Sequence, residues 1–142
     1  MTAYDLAQRF VGELTELTGN EHHPFIQWCH LLCALGSNQP DETPWCSSWA
    51  NGVCWLLRLP RSKSAAARSW LAIGLPIDLR AARVGYDVVV LERGPAPQGH
   101  VGFFAGQDDA HVFVLGGNQG DAVSVAPFPK ERVLGVRRLK AA

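Results

Sequence analysis

The 142-residue chain has no surplus of either charge: thirteen basic and thirteen acidic residues cancel. That balance supplies no field for drawing in nucleic acid or a membrane surface, so neither is expected as a partner. No apolar run approaches the ~20 residues that a spanning helix requires, and no membrane insertion is expected. The stretch from Met1 to Glu13 is amphipathic and carries acids, unlike a secretory signal, so synthesis in the cytoplasm without a signal peptide is expected. Repeats, low-complexity segments and a second-domain boundary are all missing, which leaves one domain over residues 1–142. Cysteine is sparse. Cys29, Cys33, Cys46 and Cys54 are even in number, but the chain is long enough to bury a core without disulfide staples.

What is present divides into two halves. Leu6, Phe10, Leu14 and Leu17 recur at near-helical spacing and predict a helix over residues 3–17, ended by Gly19-Asn20. Pro24 opens a second helix running to about Leu35, and Gly36 to Thr43 forms a polar turn. A third helix is expected over residues 45–57, and a short one over 65–73 after the basic loop 58–63. Beyond Gly74 the pattern changes. Residues 87–92, 101–105, 112–115, 122–126 and 133–137 are short, rich in Val and Phe, and bounded by Gly, Pro or Asp. Helices followed by strands predict an α+β domain with N-terminal helices packed on a C-terminal antiparallel sheet.

Two segments carry chemistry. Pro44-Trp45-Cys46-Ser47-Ser48-Trp49 sets a thiol at a helix start, where the partial positive charge of the helix end favours thiolate. Gly99-His100-Val101-Gly102-Phe103-Phe104 sets an imidazole at the start of a strand, able to take the thiol proton and later protonate a leaving group. A hairpin turn centred near Asp108–Asp109 places His100 opposite Asn118, whose amide oxygen would accept the ring N–H, with Gln119 as the alternative one residue on. The same register puts His111 near the hairpin tip, away from His100. The backbone N–H of Cys46 is the natural oxyanion donor. Trp45 at the cleft wall, Glu42 at its rim and Gln119 are the expected substrate contacts.

Asp41-Glu42-Thr43-Pro44-Trp45-Cys46, Ala67-Arg68-Ser69-Trp70-Leu71, Asp87-Val88-Val89-Val90-Leu91, Gly99-His100-Val101-Gly102-Phe103 and Leu115-Gly116-Gly117-Asn118-Gln119 follow one another in an order that resembles the CHAP and NlpC-type cysteine peptidases, particularly compact phage and prophage cell-wall hydrolases. The resemblance spans roughly residues 20–138. It implies a papain-like fold, hydrolysis of an amide bond in the peptidoglycan stem peptide, Cys46 as nucleophile, His100 as base and Asn118 as third member, with no metal or organic cofactor. It departs at Val84-Gly85-Tyr86-Asp87, where Tyr86 intervenes before the strand. The implied place of action is the cell wall, reached by lysis or specialised export, with an immunity or delivery partner undetermined. The other readings are a non-catalytic peptidoglycan- or partner-binding module on the same fold, and a cysteine acyltransferase or deamidase.

Competing chemistry is weaker. Cys29, Cys33, His22, His23 and His30 match no common zinc spacing, and helical cysteines generally pack as small hydrophobes. Adjacent Asp41 and Glu42 do not straddle a glycosidic bond, which needs carboxylates roughly 5–9.5 Å apart on opposite sides. Arg58, Arg61, Lys63 and Arg68 read as a solvated basic surface within reach of peptide carboxylates.

Overall fold

A computed structural model describes residues 1–17, 23–35 and 44–140. Its helices are α1 (Ala3–Gln8), α2 (Pro24–Leu31) and α3 (Cys46–Leu56), followed by a 3₁₀ turn at Ala67–Ala72. The strands are β1 (Leu75–Ile77), β2 (Asp87–Glu92), β3 (Gly99–Gln107), β4 (His111–Gln119), β5 (Ala122–Pro129) and β6 (Val133–Arg138). They form one six-stranded sheet in the order β1-β6-β2-β3-β4-β5, antiparallel at every pairing. The α+β class and the segregation of helices from strands agree with the sequence.

The sheet has two buried faces. On β2, Val88 and Val90 join the helix-side core while Val89 and Leu91 join a second cluster, as the period of two demands. The helix-side core contains Trp45, Trp49, Val53, Val101, Phe103 and Leu115. The second cluster adds Phe104, Val112, Val114 and Val136, covered by Ile77, Leu79 and Phe128.

Every residue of α3 from Cys46 to Cys54 is buried, and Ser47, Ser48 and Asn51 find their partners within the protein, whereas the Trp49 indole N–H has none among the described residues. Ser47 Oγ donates to Ser64 O at 2.6 Å and accepts from Trp70 Nε1 at 2.8 Å. Asn51 Oδ1 accepts from Lys63 N at 2.8 Å, and its Nδ2 donates to Ser47 O at 2.9 Å. His30 Nδ1 lies 2.8 Å from Ser48 Oγ and ties α2 to α3. The helix that begins at Cys46 is therefore held on all sides.

Two expected elements change. The helix expected over residues 3–17 stops at Gln8, because the chain behind it is drawn to the sheet edge. Thr15 bridges Ala122, Val123 N donates to Leu14 O at 3.0 Å, and Glu16 N donates to Asp121 O at 2.8 Å. Extended pairing there satisfies backbone groups that a longer helix would have satisfied internally. The short strand β1 carries Pro76, which an edge strand tolerates and a sequence pattern discourages. Gly19-Asn20 and the turn at 36–43 lie outside the described residues.

The start of β2 is locked to the end of β6 by a buried carboxylate. Asp87 accepts from Arg138 Nε and Nη2, both at 2.8 Å, and from the backbone N–H of Arg83 at 2.7 Å. Removing the arginine strands a buried charge. Arg138→Ala is expected to lower the urea midpoint more than Arg80→Ala, which breaks the exposed Arg80–Asp78 pair. Equal midpoints for the two variants would class the Asp87–Arg138 pair with ordinary surface ion pairs.

Candidate functional site

Cys46 opens α3 and His100 is the second residue of β3; each is 3% exposed. Pairing of β3 with β4 begins only at Phe103↔Leu115, so the ladder is open beside His100 and Val101. The Cys46 thiol reaches that opening, where the backbone of Val101 hydrogen-bonds it. His100 pairs with Leu91, and its ring meets Phe128 at 5.3 Å between centroids. The thiol thus comes from the helix side and the imidazole from the other side, with the His100–Val101 backbone between them. Among the described hydrogen bonds, none joins the two side chains directly.

The group on the ring is Gln119, whose Oε1 lies 2.8 Å from His100 Nε2. Its amide orientation is fixed, since Nε2 donates to the carbonyls of Val114 at 3.1 Å and Ser124 at 2.7 Å. With its amide protons committed there, Gln119 faces His100 with a lone pair, so the ring must donate from Nε2. In the neutral ring Nδ1 is then the unprotonated nitrogen. Nδ1 is buried and has no hydrogen-bond partner among the described residues. That is the nitrogen a base would use.

The expectation that Asn118 fills this place is corrected. The expected register does hold at Phe103↔Leu115, but β4 is irregular between Gly116 and Gln119 in its pairing with β5. Asn118 takes a left-handed φ of 59°, and the shift carries Gln119 inward. Asn118 instead lines the neighbouring cavity. Gly116 makes the arrangement sterically feasible: a Cβ there would sit 2.5 Å from Gln119 Oε1 and 3.2 Å from His100 Nε2. Gln119, expected as a substrate contact, serves the imidazole.

Trp45 is not at a cleft wall. It is fully buried, its Nε1 donates to Glu16 Oε1 at 2.6 Å, and its ring lies so close to β4 that a Cβ at Gly117 would come within 2.6 Å of it. Glu42, Asp41 and His22 lie outside the described residues. His111 stands at the far end of β4 beside Asp108, as expected, with 3.4 Å between Nδ1 and Oδ1. Cys29, Cys33 and Cys54 are buried, and no group of three or more His, Cys, Asp or Glu among the described residues could hold a metal ion. No helix among them is long and apolar enough to cross a membrane. The basic surface is partly structural: Arg61 Nη1 donates to Leu32 O at 3.1 Å and Arg68 Nε to Gln98 O at 2.7 Å.

Burial sets the resting protonation states. It pushes the Cys46 thiol above its ordinary value, against the hydrogen bonds from the Val101 and Ser47 backbone and the attraction of Arg93. A helix N-terminus contributes at most about 2 kcal/mol, too little to offset a fully buried thiolate. Burial also holds the His100 pKa down to about 4, aided by Arg93 and Arg132 and opposed by the Gln119 hydrogen bond. The resting pair is therefore a thiol beside a neutral imidazole, which corrects the expected preformed thiolate. Arg93, Arg132, Phe128 and Ser124 were not distinguishable in the sequence; with Asn118 and Gln119 they line a cavity of about 470 Å³ beside His100.

Comparison with known proteins yields no matching family model and no matching curated sequence.

Two outcomes follow from these charge states. His100 is neutral when folded down to about pH 4, whereas an unfolded histidine protonates near 6.5. The unfolded chain binds the extra proton in that window, so stability is full above pH 6.5 and falls as the pH drops toward 4. The loss attributable to this residue is about 3 kcal/mol. Urea titrations of the parent and His100→Gln at pH 7 and pH 4 measure it, and equal slopes in the two proteins would refute it. Alkylation of Cys46 by iodoacetamide at pH 7 should run at least about tenfold slower than with a free thiol and keep rising beyond pH 9. A rate plateau below pH 7 would instead reveal a stable thiolate.

Proposed function

We propose that the chain is a cysteine hydrolase of papain-like architecture that cleaves an amide bond in the bacterial cell-wall stem peptide. The observation that carries the reading is the hydrogen bond of the Val101 backbone to the Cys46 thiol, which sets the helix start against the residue next to His100, whose Nδ1 is left unprotonated by the Gln119 hydrogen bond. The cell-wall substrate rests on the five ordered segments that resemble the CHAP and NlpC-type enzymes.

In this mechanism Nδ1 takes the Sγ proton as sulfur attacks the amide carbonyl carbon. The tetrahedral oxyanion is met by the backbone N–H of Cys46 at the helix start. Nδ1–H then passes its proton to the leaving nitrogen, the C–N bond breaks, and a thioester remains on Cys46. Water gives a proton to Nδ1 and its oxygen to the acyl carbon; the thiol is restored and a carboxylic acid leaves. Gln119 is a positioning residue, holding the tautomer through all steps.

The near-complete burial of Cys46 and His100 is the observation that favours the alternative, a non-catalytic module binding cell-wall peptide. One variant panel separates the two. The parent should release peptide fragments from purified sacculi, read by mass spectrometry, whereas Cys46→Ala and His100→Ala should release none. Gln119→Ala should lose activity by about 10²–10⁴-fold. His111→Ala should stay near the parent, and a chelator should leave the rate unchanged. Digestion by Cys46→Ala at the parent's rate would sink the thiol mechanism. Fragments gaining an amine, or converted from amide to acid without chain cleavage, would indicate acyl transfer or deamidation instead.

A further inference from the structure

The cavity beside His100 has a charge pattern that the hydrolytic steps do not use. Among its described lining residues two are arginines, Arg93 and Arg132, and none is acidic. Arg132 is held in place: Nε and Nη2 donate to Glu92 O at 3.0 and 2.8 Å, and the guanidinium carbon stands 5.3 Å from the centroid of Phe128. Phe128 leans on the His100 ring at an interplanar angle of 34°. Arg132, Phe128 and His100 thus form a continuous stack along one wall. No described hydrogen bond engages Nη1 of Arg132, and neither arginine is ion-paired among the described residues.

Two guanidiniums without an ion-pair partner among the described residues, around a cavity with no acid among its described lining, attract an anion and repel a cation. Arginine's planar fork suits a carboxylate in particular. The rest of the lining fits a peptide: Ala126, Pro127 and the Phe128 ring offer apolar contact, and Asn118 and Ser124 offer hydrogen bonds. Both arginines share this cavity with His100.

We propose that this cavity is a substrate subsite in which Arg93 and Arg132 hold a free carboxylate of the peptide. The proposal rests on the hydrolase reading above, and it makes the enzyme selective for acidic over amidated peptides.

Binding tests it without turnover. The full chain carrying Cys46→Ala is titrated by calorimetry with a synthetic stem tetrapeptide, once with free carboxylates and once with every carboxylate amidated. The acidic peptide is expected to bind at least about tenfold more tightly, since charge-assisted hydrogen bonds are the stronger class. Adding Arg93→Gln or Arg132→Gln should reduce that ratio severalfold, and adding both should bring it to one. Arg93 is exposed, so its variant stays informative if loss of Arg132 disturbs the fold. Equal affinity for the two peptides, no binding of either, or a ratio untouched by both arginine variants overturns the proposal. Displacement of the acidic peptide by submillimolar inorganic phosphate also overturns it, in favour of a free-anion site. Failure of the hydrolase reading shows separately, as sacculus digestion that does not depend on Cys46.

Discussion

The hydrogen bond between His100 and Gln119 is the constraint on which the site depends. It works because the Gln119 amide has no freedom left, with its protons spent on the carbonyls of Val114 and Ser124. A side chain that could rotate would let the ring choose either tautomer; this one imposes a single answer. The geometry in turn requires β4 to leave regular pairing after Gly116 and Asn118 to adopt a positive φ. The irregular strand end and the chemistry of the ring are one feature seen at two scales.

Electrostatics at the site looks unfavourable when each group is taken alone. Burial raises the thiol and depresses the imidazole, so each resists its own charged form. In the proposed mechanism proton transfer would change both at once, and a paired thiolate and imidazolium would lose less hydration than two separate ions. Arg93 illustrates the same cancellation, favouring the thiolate while opposing the imidazolium. Such a pair is best served by moving its proton in step with attack on a substrate. The burial that keeps it uncharged at rest is the same burial that would strengthen interactions with a developing oxyanion.

The parts of this architecture that rest on periodicity were legible in the sequence. The unbroken apolar run from Val88 to Leu91 marked β2, and the apolar run behind Pro44 placed α3. Cys46 and His100 stood out because each sat at the start of such an element. Departures came where tertiary pairing outbid local pattern. Thr15 and Glu16 continued a helical spacing yet were taken up by the β5 edge. Register counting chose Asn118 because it assumes a straight ladder, and a one-residue shift exchanges inward and outward side chains. Trp45 seemed suited to a cleft wall, but its indole N–H had a buried acceptor in Glu16, distant in sequence and without a pattern to announce it. Arg93 and Arg132 are far apart in the chain and reach the same cavity only because one follows the end of β2 and the other sits in the 3₁₀ turn Lys130–Arg132 before β6.

Gly116 and Gly117 leave β4 with bare backbone at the site: one clears the Gln119–His100 side and the other clears the indole of Trp45. The space at position 117 is thus occupied by a residue from another element. A larger side chain at 117 is compatible with the fold only if the ring at 45 becomes smaller, so the two positions form a compensating pair whose substitutions are non-additive. Sequence drift on this face must therefore proceed through linked changes. Because the same strand segment carries Gln119, an uncompensated change in the core beneath it would be felt at the imidazole without touching any reacting group.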